Sequence, residues 1–201
     1  MKFFCFFLFT KRRLLLAFCC LGLLGAAEEK RSGYDDAGPQ VRAMQDDDLA
    51  NPAFLWVQQG AAALAPEGDA MLGVTALVGL QSRGMAVSVD VSGPAAGHVA
   101  RGEAFFRLRQ GQLNLSCAQC HEQLAGQSLA GARIVQGHAN AYPIYRLEWQ
   151  GMGSLFRRLR ACLTGVGAEV LGRDEGLLGD LELFLAARGA GLKVETPGVR
   201  P

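Results

Sequence analysis

Hydrophobic periodicity is clearest in the C-terminal half of the chain. In A-R-G-E-A-F-F-R-L-R-Q-G, Ala100, Ala104, Phe105 and Leu108 fall at helical spacing and the pattern stops at Gly111, which predicts a helix. In D-E-G-L-L-G-D-L-E-L-F-L-A-A-R-G-A-G, Leu177, Leu178, Leu181, Phe184 and Leu185 share one face. Asp174 and Glu175 precede them and Gly189 follows, the acid and glycine placement of a helix start and stop. Between these segments, S-L-F-R-R-L-R-A-C opens on Ser154, whose hydroxyl can cap a helix N-terminus. Leu155, Leu159 and Cys162 then sit at i, i+4 and i+7, so the cysteine shares the apolar face of this third helix. Y-P-I-Y-R-L-E-W-Q is aromatic, β-favouring and broken by Pro143, which predicts a loop or short strand.

The N-terminus has a different character. Lys11, Arg12 and Arg13 precede the apolar run L-L-L-A-F-C-C-L-G-L-L-G, and G-A-A offers small residues before Glu28. This is the layout of a secretory signal peptide, residues 1–27, so the mature protein is expected in the periplasm with the signal cleaved. The run is shorter than the about 20 residues a spanning helix needs, so no membrane span is expected in the mature chain. Removing Lys2, Lys11, Arg12 and Arg13 with the signal leaves 16 basic and 19 acidic side chains. Residues 28–100 carry 4 basic and 10 acidic groups, residues 101–201 carry 12 and 9. The C-terminal half is the electropositive one, which suits a small anion or an acidic partner. No basic run with interleaved aromatics is present, so nucleic acid is not an expected partner.

Cysteine use narrows the chemistry. Cys5, Cys19 and Cys20 leave with the signal, and Cys117, Cys120 and Cys162 remain, an odd number for a disulfide framework. N-L-S-C-A-Q-C-H contains C-x-x-C-H, Cys117 to His121, the attachment signature of c-type haem. One helical turn separates the two sulfurs so that each can add to one haem vinyl group, and the following imidazole can ligate the iron. A redox disulfide or half a zinc site would not need the histidine. A helix before the motif, a helix at the C-terminus and irregular chain between them predict a mainly α, cytochrome c-like domain around one covalent haem c. For the second axial position the residues leave Met152, His138, Met85 and Cys162 open. Met152 is the default of an electron carrier, and Cys162 reads equally well as a core thiol or as a ligand.

The segments S-G-Y-D-D-A-G-P-Q-V-R-A-M-Q-D-D-D-L-A-N-P, N-L-S-C-A-Q-C-H, Q-G-H-A-N-A-Y-P-I-Y-R-L-E-W-Q, R-R-L-R-A-C and V-E-T-P-G-V-R resemble SoxA, the cytochrome subunit that starts bacterial thiosulfate oxidation. The resemblance implies an L-cysteine S-thiosulfotransferase that conjugates thiosulfate to a cysteine of a SoxYZ-like sulfur carrier. It implies a heterodimer with a SoxX-like cytochrome that takes up the electrons. It makes Cys162 the catalytic residue, carrying a persulfide, and the second axial ligand opposite His121. Arg158, one turn before Cys162, becomes the substrate binder, and Arg188 a further residue facing the pocket. The rival readings are a plain periplasmic electron-transfer cytochrome and a non-catalytic partner-binding subunit.

The resemblance is incomplete in two places. Family members often carry a second, N-terminal haem domain, and no second C-x-x-C-H exists here. Residues 53–64 and 71–84 are similar to the first and last helices of that domain, joined directly through Ala65 to Ala70. Residues 28–97 are therefore expected to be a truncated, haem-less helical remnant, with 98–201 as the haem domain and 87–97 as linker. A helical pair cannot cover both of its faces, so Phe54, Trp56, Leu77 and Leu80 are expected to dock on the haem domain or on a partner. Gly167 stands where the family commonly has arginine, and L-A-G-Q-S-L replaces its tryptophan and basic residues after the haem motif. Fewer cations are thus expected along the substrate channel.

Overall fold

The three helices predicted by periodicity form, and the segment read as a loop or short strand supplies a strand of a small sheet. The computed structural model describes residues 29–62, 69–172 and 176–201. The signal segment 1–27, most of the Ala65–Ala70 connector, and Asp174 and Glu175 lie outside the described residues. In chain order the elements are α1 (Pro39–Asp46), α2 (Phe54–Ala62), α3 (Asp69–Gln81) and α4 (Ala95–Arg107). A π-helical turn (Gln119–Gln123) and the strands β1 (Ser128–Leu129), β2 (Ala132–Arg133) and β3 (Ile144–Arg146) follow. A 3-10 turn (Leu147–Trp149) leads into β4 (Gly151–Gly153), α5 (Leu155–Gly165), α6 (Leu177–Arg188) and β5 (Gly198–Arg200).

Two cores lie on either side of the sheet. The first joins α4, α5 and α6 through Phe105, Phe106, Leu159, Leu163, Leu178, Leu181, Phe184 and Leu185. Burying such side chains contributes roughly 1.5–3 kcal/mol each before chain entropy is set against it. The helices α4 and α6 touch backbone to backbone: a Cβ on Gly102 would lie 2.1 Å from the Asp180 carbonyl oxygen. Asp180 closes the crossing by accepting from Arg101 Nε at 2.6 Å and His98 Nδ1 at 2.5 Å. α4 starts at Ala95, so the last residues assigned to a linker are already helical. The linker's first residues are tied down too, since Val87 N–H donates to the Leu192 carbonyl.

The second core belongs to the N-terminal hairpin. Ala53, Val57 and Ala76 of α2, α3 and the residues before them pack with Trp56, Leu72, Leu77 and Leu80 against Tyr145, Met152 and Val199. Trp56 meets Tyr145 edge-on, with ring centroids 5.7 Å apart. The hairpin therefore finds its cover on the sheet of the same chain. Polar staples reinforce this: Gln45 Oε1 accepts from Val199 N–H at 2.9 Å, and Asn51 Nδ2 donates to the Pro197 carbonyl at 3.0 Å. Arg31–Pro201 make one compact unit. Among the described residues no helix is long and apolar enough to cross a membrane.

The sheet decides which side chains meet. Its order is β4-β3-β5, with β3 antiparallel to β4 and parallel to β5. Successive side chains of a strand point to opposite faces, and directly paired residues point to the same face. Tyr145 pairs with Met152 and Val199, and all three enter the hairpin core. Ile144 and Arg146 point the other way, into a cavity, together with Arg200, the partner of Arg146 on β5.

Candidate haem and anion site

The cavity between the sheet, α5, α6 and the π-helical turn has a volume of about 180 Å³ and opens to solvent. Phe106, Ile144, Leu155, Leu159, Leu181 and Leu185 give it apolar walls. Cys117 and His121 enter from the haem motif, and Arg158 and Cys162 from α5. The Ser154 hydroxyl accepts from Arg157 N–H at 3.2 Å and caps α5, as expected, but the helix continues past Cys162 to Gly165. Leu155, Arg158, Leu159 and Cys162 therefore form one inward stripe, with arginine and thiol on successive turns.

His121 is held in place by its neighbours. Its Nδ1–H donates to the Val135 carbonyl at 2.7 Å, which leaves Nε2 without a proton and available to a metal. Gly137, at φ +76°, brings the following loop against the ring, and a Cβ there would lie 2.9 Å from His121 Cγ. Burial pulls the imidazole pKa down, opposed by the Val135 bond and aided by the charges of Arg158 and Arg188, so the ligand form is the resting one. Burial likewise pushes the Cys117 thiol up to about 11, with further contributions from Cys162 and Cys120. Cys120 is half-buried one turn on and is not part of the cavity wall.

The other candidates separate cleanly. Met152 is 3 % exposed, yet it lies in the hairpin core because it pairs with Tyr145, on the far face of the sheet from the cavity. Met85 is solvent-exposed. His138 does line the cavity, but its Nε2 lies 3.2 Å from Gln136 Oε1 and its Nδ1 3.4 Å from an Arg188 nitrogen. Arg188 does not face the cavity as expected. It lies over the Phe106 ring at 5.3 Å, bonds the Gln136 carbonyl and pairs with Glu122 at 3.8 Å. Gly167 is also off the wall; it turns the chain after α5 at φ +67°, a conformation an arginine would adopt only with strain.

The sequence reading missed the other cations of the wall. Arg133, Arg146 and Arg200 all reach the cavity, and among the described residues Asp36 is the one acidic side chain lining it. Asp36 is wholly buried and pairs with Arg31 at 3.3 Å. Arg200 is committed to Gln45 and Glu195, and Arg133 donates twice to the Gly126 carbonyl. The signal for Arg146 was present in the alternation of I-Y-R, but it required knowing that both faces of the strand are covered. Tyr142 stands beside these arginines, its phenol pushed up to about 12 by burial against the opposing pull of Arg158 and Arg146.

These residues fit a c-type haem. The cavity is walled by aliphatic and aromatic side chains, and an oriented imidazole and two thiols from different elements line it. Among the described residues no group of three or more His, Cys, Asp or Glu side chains could hold a bare metal ion. An iron here would need most of its ligands from a macrocycle.

Comparison with known proteins agrees with the site. Residues 101–194 match the family described as SoxA/TsdA, cytochrome c domain. The chain is 41% identical over 132 residues to the L-cysteine S-thiosulfotransferase subunit SoxA of Paracoccus pantotrophus, covering 66% of this chain and 46% of that protein. With the protein of the same name from Rhodovulum sulfidophilum the identity is 38% over 140 residues, covering 68% and 49%. The chain thus spans about half the length of the curated relatives it matches. The crystal structure of SoxXA from P. pantotrophus superposes with a TM-score of 0.80 at 29% identity, covering 86% of this chain and 87% of that one. The cytochrome c domain implies haem c, and through this domain the chain belongs to the SoxA/TsdA cytochrome family.

Proposed function

We propose that this chain is the catalytic cytochrome subunit of an exported, SoxAX-type L-cysteine S-thiosulfotransferase. The observation that carries the reading is the placement of Arg158 and Cys162 on successive turns of α5, in the same cavity as His121. Cys117 and Cys120 would hold one haem c covalently, and His121 and Cys162 would supply its iron ligands. When bound, the haem supplies a one-electron redox centre beside the Cys162 sulfur.

The chain's own residues then have distinct tasks. Arg158 presents a planar fork of N–H donors to the sulfonate oxygens of thiosulfate, a dianion. The apolar walls exclude water and strengthen that contact. Cys162 is the sulfur beside which the substrate is aligned. In the net reaction the carrier thiol gives up its proton and a disulfide bond forms between the carrier sulfur and the outer sulfur of thiosulfate. Two electrons leave, passing singly to a SoxX-like cytochrome in a heterodimer with this chain. The carrier cysteine, on a SoxYZ-like protein, must come on a flexible arm, since a folded surface could not enter the cavity. Residues 28–97 serve as the shortened, haem-less counterpart of a second cytochrome domain, closing the far face of the sheet.

The test is thiosulfate conjugation to a carrier cysteine by the purified heterodimer, read by intact mass. Cys162→Ser with haem retained should abolish conjugation. Unchanged conjugation would refute the catalytic assignment and leave an electron carrier.

A further inference from the structure

Beside Cys162 the cavity wall holds two guanidinium groups from different elements, Arg158 of α5 and Arg146 of β3. Glu148 stands by both, 3.2 Å from Arg146 and 4.0 Å from Arg158. The side chain of Glu148 is 50% exposed and that of Arg146 13%. The Arg146 Nε is buried and makes no hydrogen bond. A buried donor left unpaired is costly, so such an atom at a cavity wall marks a place for an acceptor. Burial and then the nearby Arg158 charge pull the Arg146 pKa down, against the opposing effect of Glu148 and Tyr142. Arg133 and Arg200 are already anchored, Arg133 on the Gly126 carbonyl and Arg200 on Gln45 and the Val199 carbonyl.

We propose that Arg146 and Arg158 act as a two-guanidinium clamp for a tetrahedral sulfur oxyanion, and that Glu148 is the counter-ion this guest displaces. The inference deepens the reading of the cavity as a thiosulfate site and rests on it for the choice of substrate. A dianion with three sulfonate oxygens can bridge two forks, whereas the single carboxylate of Glu148 reaches one well and the other poorly. Arg146 lies over the Trp149 ring at 5.2 Å, which restrains the plane of its fork, and Trp149 is packed on its other contacts by Arg157 at 4.3 Å. Glu148 leaves easily because its side chain is half in water. It also discriminates, since a monoanion would not repay its displacement as well as a dianion does.

The experiment is equilibrium dialysis of the haem-loaded protein against radiolabelled sulfate and, separately, thiosulfate, with the haem spectrum as the check on folding. Arg146→Gln should weaken both anions about tenfold or more, and Glu148→Gln should tighten both several-fold. Unchanged affinity in Arg146→Gln, weaker binding in Glu148→Gln, or no binding of either anion to the unaltered protein overturns the clamp. Should Arg146→Gln fail to fold, Glu148→Gln decides alone. If sulfate follows the expected pattern while no carrier is conjugated, the clamp stands and the proposed function falls. If conjugation and affinity both survive Arg146→Gln, the function stands and the clamp falls.

Discussion

Adjacent arginines on α5 allow a controlled test of substrate binding. Arg158 lines the cavity and has one ionic neighbour, Glu148, at 4.0 Å, beyond hydrogen-bond reach. A half-exposed ion pair of that length contributes about 0–1 kcal/mol to folding. A charge-assisted hydrogen bond to a bound anion is worth roughly 1.5–3 kcal/mol, or about 10- to 150-fold in kcat/KM. Arg157 is exposed, faces away from the cavity, stacks on Trp149 at 4.3 Å and reaches the Met152 carbonyl at 3.4 Å. Its loss costs stability, about 0.5–1 kcal/mol from the ring contact, and no substrate contact. Arg158→Ala and Arg157→Ala remove the same charge one residue apart, so any effect of long-range steering is common to both. Steady-state conjugation at varied thiosulfate, paired with thermal melts, should show Arg158→Ala losing at least about tenfold in kcat/KM with a nearly unchanged Tm. Arg157→Ala should show the reverse. Equal kinetic losses would mean that bulk charge, not a fork at the site, brings the anion in.

Further outcomes follow from the packing. Gly102→Ala should lower Tm sharply, because its Cβ would sit 2.1 Å from the Asp180 carbonyl oxygen and α4 must move off α6; an unchanged melt would show that the crossing yields. The Arg101 bond, against the opposing cost of burial and with help from His98, holds the Asp180 carboxyl below the usual range. Because this folded pKa is lowered, the stability it brings is complete above the unfolded value of about 4 and fades as pH falls through the folded one. The Tm advantage of the unaltered protein over Asp180→Asn should therefore be present at neutral pH and disappear on acidification; an advantage that persists in acid would contradict the ion pair. Met152→Leu should cost little stability, less than about 1.5 kcal/mol, and leave the ferric haem spectrum as it was, since its side chain lies in the hairpin core. A spectral change would reinstate it as a ligand.

Much of the site could be read from local sequence. C-x-x-C-H, the Ser154 cap and the i, i+4 spacing of Arg158 and Cys162 are short-range features, and the structure preserves all of them. The helix α4 began five residues earlier than its apolar pattern, because its first turn is mostly exposed and is tied to the core through His98, bonded to Asp180, and Val99. The sheet was harder. β3 falls in a segment legible as a loop or short strand, but its pairing with β5 spans more than fifty residues and neither strand is longer than three, so no local run announces that pairing. Without that pairing the alternation in I-Y-R has no meaning, and Arg146 cannot be told from a surface residue. Met152 stayed open as a ligand in the sequence for the same reason: its place in the hairpin core follows from pairing with Tyr145. Arg188 lies near enough to depress the His121 pKa, but its fork is taken up by Gln136, Glu122 and the Phe106 ring.

The central claim is that Cys162 and His121 would both ligate the haem iron. Low-temperature electron paramagnetic resonance of the ferric protein, with and without Cys162→Ser, addresses it directly. A low-spin imidazole–thiolate signal that vanishes in Cys162→Ser is the predicted result. An imidazole–thioether signal, or any signal indifferent to Cys162→Ser, would contradict it.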